Sequence, residues 1–436
     1  MKKLLIFPVI FLILAGCSKT KKEPEIYFTP EKALSYFRSV DSICAADNGK
    51  LWGVSLAGPV MFVDRPTRRV FANKPDSEGL LKLRDDVYQG IFPRERLIEN
   101  SAVEFGGTVY AMTPIPSRDD AYRIKTAAIN SLFHCYQKAI NMEPQRNAVR
   151  YLDDRFARIW LKLEYRALRK AVESDSLQAL QHLRDAVIFR GARREQFQSQ
   201  VIDENRSEVY EGLAMLTSIL LCNKTEEEAA EKLLGSIDFF YRFQSFSRSY
   251  SPILGCAYSY LLYRHGFDLR PVVECDTADL GNLAANIYKL QLPEIFRDVA
   301  GSLALIYDVD SIYKEEEKRM NDIRERIRRQ LSKFTDKPLL LLELESPYFD
   351  FEPEDIRSLD TLGTIYNTIR VSDNWGKLTV EKGGCLVSYN LKQIRLGARN
   401  LKESKNHYYG DGWHLILNGN WKVEKTEDNY ILKKSL

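Results

Sequence analysis

Three textures of hydrophobic and polar positions follow one another along the chain. From about residue 31 to 118, one helical stripe precedes short alternating runs. "TPEKALSYFRSVDSICAAD" opens with Thr29 and Pro30, a helix-start signal, and continues with apolar residues at helical spacing. "KLWGVSLAGPVMFVDRPTRRVFAN" reads as two strands around a "DRPTR" turn, and "SAVEFGGTVYAMTP" as a hairpin around Gly106 and Gly107. From about 119 to 335 the apolar period is helical. Leu152, Phe156, Ile159, Trp160, Leu163 and Ala167 share one face, as do Ile202, Val209, Leu213, Leu216 and Leu220. Further helices are predicted over 226–244, 250–264, 279–290 and 292–307. In "KEEEKRMNDIRERIRRQLSKF" a narrow stripe of Met320, Ile323, Ile327, Leu331 and Phe334 runs through interleaved charge, the pattern of a solvated helix packed along one edge. Beyond 336 the period is two. "TIYNTIRVS", "KLTVEK", "CLVSYNLKQIRL", "WHLILNGN" and "WKVEKTEDNYILKK" alternate between turn signals. Residues 336–357 read as a linker with a strand, and 358–436 as a small antiparallel β domain with Trp375, Trp413 and Trp421 in its core or at its edges. The fold class that follows is α+β: N-terminal strands, a large mostly helical body, and a C-terminal antiparallel β domain.

The N-terminus has a separate logic. "MKKLLIFPVIFLILAGC" places Lys2 and Lys3 before an apolar run from Leu4 to Leu14 that is short for a bilayer span, followed by small residues suited to a peptidase. Its "LAGC" resembles the lipobox of bacterial lipoproteins. That resemblance implies a signal peptide over 1–17, cleavage before Cys17, and lipidation of Cys17 with enough acyl chain for stable membrane attachment. The expected location is the bacterial cell envelope. Ser18 rather than Asp after Cys17 points to the outer membrane by the enterobacterial sorting pattern. "SKTKKEPEIYFTP" (18–30) is polar and Pro-punctuated and reads as a tether.

Composition narrows the partners. Lys plus Arg number 63 against 60 Asp plus Glu, for a net charge of +3, so nothing demands nucleic acid. Apart from Cys17, the cysteines Cys44, Cys135, Cys222, Cys256, Cys275 and Cys385 are scattered without C-x-x-C or framework spacing, and read as free, mostly buried thiols.

The chemistry-bearing stretch is "AAINSLFHCYQKAI", 127–140. Ile129, Leu132, Phe133, Tyr136 and Ile140 fall at helical spacing, while Asn130 and His134 stand four apart on one face, with Ser131 beside Asn130. That is the layout of an H-E-x-x-H zinc helix with Asn for the first His and Ser for the Glu. Later, "SEVYEGLAMLTS" carries Glu211-Gly212-Leu213-Ala214, matching an E-G-x-A ligand helix. Over about residues 50–225, this order of hairpin, first ligand helix, intervening helices and Glu helix resembles the gluzincin-type metallopeptidases. "LWGVSLAGPVMFVD" and "IWLKLEYRALRKAV" also look like stretches of bacterial zinc-peptidase-like proteins.

The resemblance implies His134 as second and Glu211 as third zinc ligand, Asn130 at the missing ligand's place and Ser131 at the general base's. An amide is a weak zinc ligand, and an unperturbed hydroxyl is no base near neutral pH, so the site is expected to be degenerate, with no catalytic residue and at most weak zinc. Cys135 next to His134 points about 100° away on a helix and is poorly placed as a nucleophile. Glu204 and Glu208 have no partner assignable from sequence, and His182, His265, His407 and His414 show no ligand spacing. The expected role is non-catalytic: a peptide or envelope protein held in the inherited groove, paired to "TVYAMTP" as an edge strand through Thr108, Val109, Tyr110 and Ala111. Two alternatives stay open. One is an active zinc peptidase using His134, Glu211 and a substitute ligand, and the other a structural component of an envelope assembly.

Overall fold

The computed structural model describes residues 28–144, 147–174, 176–351, 356–359 and 362–434. Cys17, the leader and most of the tether therefore lie outside the described residues. The chain forms two compact units, Met1–Tyr313 and Lys314–Leu436.

The first unit opens with α1 (Pro30–Asp47). Thr29 Oγ1 accepts from the Lys32 amide at 3.3 Å, and Asn48 closes the helix in the left-handed region at φ 45°. The end of the predicted tether is already ordered, since Phe28 is buried. Six strands follow: β1 (Val60–Val63), β2 (Arg69–Ala72), β3 (Lys82–Arg84), β4 (Val87–Ile91), β5 (Ser101–Phe105) and β6 (Thr108–Pro114). They form one sheet in the order β3-β4-β2-β1-β6-β5, in which only the β1–β6 pair is parallel. Both faces are covered. Phe62, Phe71 and Ala111 join the main core with α1, while Met61, Val70 and Met112 pack into a second cluster with Leu81, Phe92 and Phe105.

This order corrects the strand expected at the edge. Thr108, Val109, Tyr110 and Ala111 belong to β6, an inner strand bonded to β1 on one side and β5 on the other. The edge beside it is β5. A hairpin signal says that two strands pair, but not which of them meets a third. The more apolar one took the inside, with Tyr110, Ala111 and Met112 fully buried.

The helical body consists of α2 (Ala121–Ala139), α3 (Arg155–Glu173), α4 (Ser176–Gln196), α5 (Val201–Cys222), α6 (Glu226–Tyr241), α7 (Ser251–Arg264), α8 (Arg270–Val273), α9 (Leu280–Ile287), α10 (Phe296–Ala304) and α11 (Val309–Thr335). Asp120, Asp154, Thr225 and Asp279 cap the N-termini of α2, α3, α6 and α9 through their side chains. The predicted stripes hold at most positions, but Phe156 and Ile202 are exposed near the starts of their helices. The tightest crossing is α5 on α7. A Cβ on Gly212 would sit 2.4 Å from the Gly255 Cα, and one on Gly255 would sit 2.1 Å from the Glu208 carbonyl oxygen. The glycine of E-G-L-A is thus a packing requirement of this crossing.

The boundary between the units falls inside α11, earlier than the 335/336 boundary read from sequence. The second unit holds two sheets. One runs in the order Trp421–Lys425, Tyr430–Lys434, Leu339–Glu343, Gln393–Gly397, Cys385–Val387, Thr364–Tyr366, Ile356–Ser358. The other runs Lys402–Ser404, His407–Gly410, Trp413–Leu417, Gly376–Val380, Ile369–Asp373, Tyr348–Asp350. All pairs are antiparallel except Tyr430–Lys434 with Leu339–Glu343. Leu339–Glu343 is the strand expected within 336–357, and Tyr348–Asp350 adds a second strand there. Trp375 and Trp413 are buried and donate to the carbonyls of Glu343 and Gly397, while Trp421 is half-buried.

Candidate functional site

Helix α2 carries Asn130, Ser131 and His134 because its apolar side, with Ile124, Ala128, Leu132 and Phe133, is buried and turns these polar residues toward the sheet and α5. His134 is buried, stacked on the Tyr210 ring at 4.8 Å and 18°. Its Nδ1 lies 2.7 Å from Gln137 Oε1, while Gln137 Nε2 donates to the Tyr210 carbonyl at 2.9 Å. The amide is thereby oriented, so Nδ1 donates to it and Nε2 is left facing away from it. Glu211 Oε2 lies 3.9 Å from that Nε2, and its side chain is 42% exposed against 2% for His134. The two ligand positions read from sequence are thus brought together across α2 and α5, at a separation too long for a hydrogen bond.

The other two positions are occupied differently. Ser131 is fully buried and donates to the Met112 carbonyl at 2.8 Å, which ties α2 to β6. Asn130 Oδ1 accepts from Asn100 Nδ2 at 2.8 Å, and Asn100 immediately precedes β5. The Tyr210 hydroxyl reaches the Ser101 side chain, and burial foremost pushes its pKa up. These contacts anchor the start of the edge strand beside His134. Cys135 has no part in this group, as burial pushes its thiol up to about 12.

The donor chemistry does not fit a closed zinc site. His134 and Glu211 are two good donors, Asn130 offers an amide oxygen already engaged, and no group of three or more His, Cys, Asp or Glu is poised to hold a metal among the described residues. Of the remaining histidines, His182 bonds Tyr307 and His265 packs on Tyr288. Cys44, Cys256 and Cys385 are buried free thiols and Cys135 and Cys222 are half-buried free thiols, as the sequence suggested, while Cys275 is free but exposed.

A cleft of about 800 Å³ opens at the end of the sheet next to Asn100. Its accessible apolar floor is Pro114, Pro116 and Ala127, backed by the buried Phe71, Ile115 and Ile124, and its rim carries Arg65, Arg69 and Arg123. Arg123, Ala127, Asn130 and His134 follow one another at helical spacing along α2, so the cleft and the His134 group share one helix face.

A second polar cluster was not picked out from sequence. Glu204 and Glu208, given no partner above, are fully buried about two turns and one turn, respectively, before Glu211 on α5. Arg193 Nη1 donates to Glu204 Oε1 at 2.9 Å and its Nη2 to Glu164 Oε2 at 3.1 Å. Arg190 grips Glu208 with both Nη atoms and reaches Glu164, while Arg194 bonds Glu204, Asn205 and Asp279. Burial pushes Asp279 up, but Arg190 and Arg194 outweigh it and hold the carboxyl below its ordinary value. The signal was present as matching intervals on α4 and α5, arginines three and four apart facing glutamates four apart.

No protein-family model matches the chain, and no curated protein or solved structure matches it either.

Proposed function

We propose that the first unit binds an extended peptide or a segment of an envelope protein along β5 without hydrolysing it, and that Cys17 holds the chain to the membrane through lipid. The observation that carries this reading is the pairing of β5, among the described residues, on one side only, with its start pinned beside His134 by Asn100 and Ser101. In a hairpin with a two-residue turn, the backbone groups of Ala102 and Glu104 face away from the partner strand. Arg96 already donates to the Glu104 carbonyl at 2.6 Å, which leaves Ala102 as the place where a guest strand would pair. Ser131 is committed to the Met112 carbonyl, where the resemblance would require a general base. The two-donor set of His134 and Glu211 supports a groove emptied of its chemistry better than it supports a peptidase.

The test is binding of a random octapeptide pool to the full chain in the presence of a chelator. Retention should persist without metal and disappear in Ala102→Pro, which blocks the outward edge while sparing the β5–β6 ladder. Retention that needs zinc, or survives Ala102→Pro, would refute the reading. A companion zinc titration of Asn130→His, which supplies a third donor, should raise uptake to about one equivalent and lose it again with His134→Ala.

A further inference from the structure

We infer that the cleft beside Asn100 captures the C-terminal end of the bound peptide, its carboxylate held by Arg65, Arg69 and Arg123 and its last apolar side chains set against Pro114, Pro116 and Ala127. The inference rests on the β5 reading and adds to it a direction and a chemical end group.

Charge is the first argument. Three guanidinium groups line the cleft, and none has a carboxylate within ion-pair range among the described residues. Arg69 lies over the buried Phe71 ring at 5.1 Å, which holds one of the three cations in place at the wall of the cleft. The single acid of the lining, Asp64, is turned into its own loop, where it accepts from the Thr67 amide at 3.1 Å and from the Thr67 hydroxyl. The cleft therefore offers excess positive charge above a hydrophobic floor, complementary to an anion carried on an apolar body and unsuited to an amino terminus.

Topology supplies the direction. The cleft lies where β5 starts, where β6 ends at Pro114 and where β1 leads into Asp64. A guest strand antiparallel to β5 runs parallel to β6, and so points its C-terminus at the cleft. The opposite direction would drive an ammonium group among three arginines. The antiparallel guest is the one whose end charge matches.

The experiment uses two random octapeptide pools, one ending in a free carboxylate and one in a carboxamide, passed over the immobilised full-length chain, with retained peptides sequenced by mass spectrometry. The acid pool should be retained roughly tenfold better, the scale of one charge-assisted hydrogen bond, with apolar residues enriched in the last two positions. Arg65→Ala/Arg69→Ala/Arg123→Ala should remove that preference, and because these are surface side chains the sheet should keep its fold, checked by circular dichroism. Equal retention of both pools, abolished by Ala102→Pro, would overturn this inference while leaving the β5 reading intact. Retention of neither pool would overturn both. Displacement of bound peptide by laurate without any C-terminal preference would mark the cleft as an acyl site and also overturn it.

Discussion

Helix α5 presents glutamates at 204, 208 and 211 along one stripe, and the two ends of that stripe behave in opposite ways. At the inner end, Glu204 and Glu208 are fully buried and every carboxylate oxygen meets a guanidinium of Arg190, Arg193 or Arg194. At the outer end, Glu211 is nearly half exposed and its nearest cation-capable neighbour, His134 Nε2, stands off at 3.9 Å. The difference follows from solvent. A carboxylate withdrawn from water needs saturated charge-assisted bonds to remain, whereas one facing a groove is hydrated and can wait for a ligand. Fully bonded carboxylates mark the structural cluster, even though Arg190 and Arg193 each bury an Nε without a hydrogen-bond acceptor, and an unbonded carboxylate marks the candidate site.

The largest way to break this comparison is to leave one buried charge alone. Arg193→Ala strips Glu204 and Glu164 of a shared partner and should cost about 3–5 kcal/mol of unfolding free energy, read from urea midpoints. A loss below about 1 kcal/mol would mean the cluster is hydrated and the contrast with Glu211 false. Next in size is the crossing that holds the stripe against α7. Gly255→Ala forces a methyl against the Glu208 carbonyl and should cost about 1–3 kcal/mol, with the urea slope unchanged.

Acid titration sharpens the contrast through Asp279. Its pKa is depressed in the folded chain, so its stabilising contribution is complete above the unfolded value of roughly 3.9 and is lost as pH falls through the folded value. Denaturation midpoints measured between pH 7 and pH 3 should therefore fall at the acid end, and Asp279→Asn should flatten that part of the curve. An unchanged acid limb in the variant would remove Asp279 from the ion cluster. The smallest effect belongs to the open end. Glu211→Ala should change stability by no more than about 0.5 kcal/mol, because a hydrated carboxylate without a bonded partner has little to lose. A cost above 1 kcal/mol would show that Glu211 belongs to the framework instead.

Local pattern was enough to read the helices, the DRPTR and Gly106-Gly107 turns, and the α+β order, because period and turn chemistry act within a few residues. Only the resemblance to gluzincin-type metallopeptidases, carried by a local motif on each helix, linked His134 with Glu211. The tertiary structure alone decided what lies between such segments. Whether β5 or β6 takes the edge depends on which strand finds β1, and whether Leu339–Glu343 is linker or sheet depends on strands some fifty and ninety residues later, Gln393–Gly397 and Tyr430–Lys434. Glu204 and Glu208 had no partner assignable from sequence because their partners lie on another helix, and the Asn100–Asn130 bond joins residues whose meeting no local period encodes. Sequence determined the elements and their chemistry through short-range sterics and periodicity. Long-range packing decided which charges were buried and saturated, which edge stayed open, and where three arginines came to surround an apolar floor.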